Sequence, residues 1–107
     1  MSEENIANKA YEAIELARKG GKIKKGTNEV TKSVEKSEPK LVIVAQDVSP
    51  NEVIMHLKPL CKEKGIAYVD VPSKEDLGSA AGLMVSTSAV AIVVEGEAKN
   101  IIKEFSK

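Results

Sequence analysis

The chain has 107 residues, enough for one domain around one core and too few for two. Its 42% hydrophobic and 30% charged residues suit a folded, soluble protein. No apolar run approaches the roughly 20 residues a membrane helix needs, which excludes a spanning segment. The acidic start Met1-Ser2-Glu3-Glu4-Asn5 lacks the basic-then-apolar pattern of a signal peptide, and the single cysteine, Cys61, excludes an intrachain disulfide. The expected setting is reducing and cytoplasmic.

The net charge is zero, but its distribution is uneven. Between Lys19 and Lys40 there are seven lysines against three glutamates, so that segment carries +4 and the remainder −4. A basic stretch on a neutral chain gives a local attractive field for phosphate without general stickiness. A solvated face of a helix and loop would show the same charges.

In chain order, residues 3–19 place Ile6, Ala10, Ala13, Ile14 and Ala17 on one face of an amphipathic helix that Gly20-Gly21 ends. Lysine-rich residues 22–25 lead to Gly26, after which Thr27 or Asn28 can cap a second helix running to about Lys36. Only Val30 and Val34 give that helix an apolar side, so packing alone does not account for its sequence. Residues 40–46 (K-L-V-I-V-A-Q) form an apolar run expected of a strand buried on both faces. Ser49-Pro50-Asn51-Glu52 reads as a capping box opening a helix to Lys64, kinked at Pro59 and ended by Gly65. Residues 66–71 form a second strand. A short helix capped by Ser73 follows and ends near Gly82. Residues 89–94 form a third strand, and residues 97–105 a closing helix. Helices alternating with apolar strands predict one three-layer α/β/α domain over residues 1–107.

Catalytic chemistry finds little support. His56 and Cys61 are the only residues of their types and lie five apart on one predicted helix, off a common face. Neither a metal site nor a Cys–His pair is expected from them. Gly78-Ser79-Ala80-Ala81-Gly82 lacks the lysine and spacing of a phosphate loop and reads as close packing through small residues. With only Tyr11, Tyr68 and Phe105 as aromatics, a base-stacking platform is not expected either.

The informative segment is residues 22–32, K-I-K-K-G-T-N-E-V-T-K. Lysines precede a glycine turn, and a helix then begins with Thr27, Asn28 and Glu29. Its free amides and partial positive charge suit a phosphate. Asn28 donates and accepts, Glu29 accepts and Lys32 donates, with Asn28 and Lys32 one turn apart. That trio could read the edges of a guanine. A capped helix with a Glu29–Lys32 surface pair is the alternative.

The segments G-T-N-E-V-T-K, L-V-I-V-A-Q-D-V, L-C-K-E-K-G-I and S-K-E-D-L-G-S-A-A-G, in that order over nearly the whole chain, resemble the family of archaeal ribosomal protein L-seven-Ae and its kink-turn-binding relatives. The resemblance implies a sandwich with a mixed four-stranded sheet, and the missing nucleophile–base set and phosphate loop lead to the expectation of no enzymatic activity, metal or cofactor. It also implies binding to a kink-turn, an RNA bend built on tandem sheared G·A pairs. By that resemblance Asn28, Glu29 and Lys32 contact the guanines. Lys22, Lys24, Lys25, Gly26, Thr27, Lys36 and Lys74 complete the RNA surface, and Leu83, Met84 and Val85 cap an extruded nucleotide. Lys36-Ser37 stands where the family often has arginine-glycine, and Ser86 near a common proline. The implied partners are ribosomal RNA of the large subunit, box C/D and H/ACA guide RNAs with their core proteins, and ribonuclease P RNA. The free protein is expected to be a monomer. A related small ribosomal protein with a different RNA or protein partner is the alternative.

Overall fold

The computed structural model describes residues 3–105, with side chains from residue 5 onward. Met1, Ser2 and the side chains of Glu3 and Glu4, which make up most of the acidic start, lie outside that description. The elements are α1 (Glu3–Gly20), β1 (Lys22–Lys25), α2 (Thr27–Glu35), β2 (Leu41–Ala45), a 3-10 turn (Asn51–Val53), α3 (Leu57–Lys64), β3 (Ala67–Val71), α4 (Lys74–Ala80), β4 (Ala89–Val94), a second 3-10 turn (Gly96–Ala98) and α5 (Lys99–Phe105).

The strands form one four-stranded sheet in the order β1-β4-β2-β3. β2 runs parallel to β3 and antiparallel to β4, and β4 is antiparallel to β1, so the sheet is mixed. The apolar run of β2 is buried at every position because side chains alternate between two covered faces. Leu41, Ile43 and Ala45 join Val90 and Ile92 under α1, α4 and α5. Val42 and Val44 join Ala89 and Ala91 beneath α2 and α3. The result is the expected α/β/α sandwich. Val30 and Val34 are fully buried and anchor α2 to the sheet, each contributing about 1.5–3 kcal/mol.

Three local expectations are corrected. Residues 22–25 are a strand, although only Ile23 is apolar. β1 is an edge strand, and its lysines reach water while Ile23 packs on the α1 side. The helix expected from Ser49 begins only at Leu57, because Pro50 is extended (φ −72°, ψ 148°) and residues 51–53 make a 3-10 turn without a side-chain cap. Pro59 therefore falls in the first turn of α3, where its missing N–H removes no helix bond and leaves no kink to explain. Neither Thr27 nor Asn28 caps α2. The cap position belongs to Gly26, whose φ of +90° suits a residue without Cβ. Ser73 does cap α4, its Oγ accepting from the Asp76 amide at 3.1 Å.

Candidate nucleic-acid interface

The strand directions bring distant segments together. The carboxyl ends of β1, β2 and β3 and the start of β4 share one end of the sheet. The Gly26 turn, the start of α4 and the end of the segment 82–88 meet there. The Gly26 N–H donates to the Ala89 carbonyl at 2.9 Å, and the Thr27 and Ser88 hydroxyls share a hydrogen bond. The Thr87 N–H donates to the Lys74 carbonyl at 3.1 Å, and the Lys74 N–H to the Asp47 carboxylate at 2.8 Å. These bonds fix the start of α2 against the entry to β4.

The amides opening α2 have no side-chain cap, because Gly26 has no side chain to offer. An uncapped helix start retains donors and partial positive charge for an anion. Asn28, Glu29 and Lys32 are all exposed. Glu29 does not pair with Lys32. Its Oε2 accepts from the Lys25 N–H at 3.2 Å, which turns the carboxylate back over the β1–α2 turn. Among the described residues the ion pair within 4 Å is Lys9–Glu104, so Lys22, Lys24, Lys25, Lys32 and Lys36 have no carboxylate partner.

These lysines do not form one cluster. Lys25 lies opposite Val90 and Lys24 opposite Ala91, so the two leave the edge strand on opposite faces. Lys22 pairs with Val94 at the far end of β1, roughly 10 Å from Lys25 at strand rise. Lys36 caps the other end of α2, about 12 Å along the axis from Asn28. Lys74 is half-buried at the start of α4.

Segment 82–88 runs back beside α4 to β4. Met84 and Val85 are exposed, at 102% and 71%, while Leu83 is partly buried against the α1-side core. Gly78 permits this path: a Cβ there would sit 2.2 Å from the Val85 carbonyl oxygen and 3.0 Å from the Ser86 Cα. Gly78 thus serves a loop crossing over the helix, while Ala80 and Ala81 pack in the core beneath α1 as close-packing small residues.

Three positioning groups were not found from sequence. Ser88 meets Thr27 across 61 positions, a pairing without local signal. Thr31 Oγ1 donates to the Thr27 carbonyl (2.7 Å) and lies 2.7 Å from His56 Nε2. With its one hydroxyl hydrogen committed to Thr27, Thr31 accepts from His56, which therefore carries its proton on Nε2. This bond holds the 51–56 segment against α2, and an open groove lined by Lys25, Asn28, Glu29, Glu52 and His56 lies between them. Cys61 is buried, which pushes its thiol up to about 11 and keeps it protonated.

An α/β sandwich with an uncapped helix start, an exposed apolar loop and lysines that have no carboxylate partner among the described residues presents a surface suited to binding an anionic ligand. Residues 8–102 match the family of ribosomal proteins described as L7Ae/L30e/S12e/Gadd45, and the chain belongs to that family. Among solved structures it is similar to the Giardia lamblia 15.5kD RNA binding protein. The identity is 30%, over 95% of this chain and 85% of that one, with a TM-score of 0.89.

Proposed function

We propose that this is a non-enzymatic RNA-binding protein that recognises a kink-turn and holds it bent. The observation that carries the reading is the exposed trio Asn28, Glu29 and Lys32 at an uncapped helix start, with lysines that have no carboxylate partner among the described residues. Family membership and the likeness to an RNA-binding protein support it.

The chemistry follows from the donors and acceptors present. Lys32 and the Asn28 amide can donate to guanine O6 and N7. With Oε2 held by the Lys25 amide, the other Glu29 oxygen is available to accept from guanine N1 or N2 hydrogens left free in a sheared pair. The amides opening α2, with Lys24, Lys25 and Lys74, meet phosphate and set register without reading sequence. Lys22 and Lys36 extend the track of positive charge along the strand and helix. Met84 and Val85 cover an unstacked base, with Leu83 tying their loop to the core.

Free RNA of this kind samples extended forms, because bending brings phosphate backbones together. A protein that binds only the bent form shifts the population toward it. Moving the ratio from 1:99 to 99:1 takes about 5.5 kcal/mol of differential binding. The roles that follow are as a component of the large ribosomal subunit, and of box C/D and H/ACA guide particles and ribonuclease P, where core proteins assemble on the bent RNA. Energy transfer between dyes on the two arms of a kink-turn tests the reading. Added protein should bring the arms together, and an RNA that binds but stays extended would refute it.

A further inference from the structure

The two edges of the sheet are treated differently. β1 carries Lys22, Lys24 and Lys25 and a register shift between Lys22 and Ile23, two devices that discourage a further strand. β3, the opposite edge, has five residues paired in unbroken register with β2, no lysine and no bulge. Its ladder toward β2 uses alternate residues: the Gln46 N–H donates to the Val71 carbonyl at 2.8 Å. By the alternation of a parallel ladder, the peptide groups of Tyr68 and Asp70 face outward.

That edge lies in a groove rather than on an open flank. Ile6, Ala7 and Tyr11 of α1 form one wall, Tyr68 and Lys58 the other, and Pro72 closes an end. Val69 and Val71 line it from the α1 side of the core. Its charge is mainly acidic. Asp70, held at 2.7 Å by the Gln46 amide, and Asp76 stand against Lys58 alone. Burial raises the Tyr68 hydroxyl's pKa, with Asp70 adding to the shift, and burial, then Asp76 and Asp47, raise that of Tyr11.

We propose that the β3 edge takes an extended, lysine- or arginine-rich segment of a partner protein as an added strand. Outward peptide groups of Tyr68 and Asp70 supply main-chain hydrogen bonds. Apolar side chains of the segment lie between Tyr11 and Tyr68, and its cations meet Asp70 and Asp76. The edge is three strand spacings from β1, roughly 14 Å, so it is free while RNA occupies the α2 side. The inference does not depend on the RNA reading.

The test uses the full chain and a dye-labelled peptide of alternating lysine and valine. It should bind, and exchange of the Tyr68 and Asp70 amides should slow about tenfold in its presence. The same peptide with glutamate for lysine, or with alternate amides N-methylated, should not bind. Asp70→Lys should weaken binding about tenfold, since an attraction becomes a repulsion, and leave kink-turn affinity unchanged. Unaltered exchange at Tyr68 and Asp70, or equal binding by Asp70→Lys, overturns the proposal. So does a concentration-dependent dimer protecting those amides without peptide, which makes the occupant a second copy. Loss of RNA binding with peptide binding intact strikes only the RNA reading.

Discussion

Changing Met84 and Val85 together to serine separates recognition from folding. Met84 is fully exposed at 102% and Val85 is 71% exposed, so the free protein loses almost no buried surface. Its unfolding free energy should change by less than about 0.5 kcal/mol, as for surface substitutions generally. In the complex, a base lying on these side chains covers one side of each. Full burial of such a side chain is worth about 1.5–3 kcal/mol, so half-coverage gives about 1 kcal/mol each and about 2 kcal/mol together. That corresponds to roughly a 30-fold loss of affinity for a kink-turn with an extruded nucleotide. Titrations by gel shift or fluorescence anisotropy read this directly, alongside urea unfolding of the same preparation. An RNA lacking the extruded nucleotide provides the control and should bind wild type and variant alike. Leu83 must be left alone, since it packs on the α1-side core and its loss would mix stability into the result. Unchanged affinity for the complete kink-turn, with the fold intact, would refute the capping role and leave recognition to α2.

The remaining predictions bear on the helix start, the loop and the core. Glu29→Ala should cost about 1–3 kcal/mol in kink-turn binding, the value of one base contact, and no more than about 1 kcal/mol in unfolding free energy through the lost Lys25 amide bond. Replacing Lys24 and Lys25 with alanine should each lower the slope of log affinity against log salt by up to about one unit, and an unchanged slope in the double variant would place them away from phosphate. Gly78→Ala should push segment 82–88 off α4, because its Cβ meets the Val85 carbonyl oxygen at 2.2 Å; NMR shifts in that segment and weaker RNA binding would report it. For Cys61, burial raises the folded-state pKa to about 11, so between its ordinary value near 9.0 and that value the unfolded chain loses a proton the folded chain keeps. Stability should therefore fall as pH rises through that window, with less of a fall in Cys61→Ala, as read by denaturant midpoints.

What could be read from the sequence divides along physical lines. β2 was legible because a strand covered on both faces needs an unbroken apolar run, and L-V-I-V-A supplies one. β1 was not, since an edge strand needs apolar side chains only where it is covered, and Ile23 alone is a weak signal. The false helix start at Ser49 shows the limit of local chemistry: the residues for a capping box are present, but Pro50 is extended and the segment turns toward α2, where His56 reaches Thr31. The trio proposed to read guanine, Asn28, Glu29 and Lys32, could be picked out from sequence because its members lie within five consecutive residues of one helix. The contacts that position it could not, since Thr27–Ser88 and Gly78–Val85 join segments that only the strand order brings together.

The most direct measurement is binding to two RNAs that differ only in the tandem G·A pairs, one with a complete kink-turn and one with those pairs replaced by Watson–Crick pairs. Lys24, Lys25 and the start of α2 can still meet phosphate in the second RNA, but Asn28, Glu29 and Lys32 have no sheared guanines to read. Gel shifts at fixed salt should show the complete kink-turn bound at least about a hundredfold more tightly, corresponding to two base contacts of about 1.4 kcal/mol each. Equal affinity for the two RNAs would contradict kink-turn recognition and leave only sequence-independent attraction to phosphate.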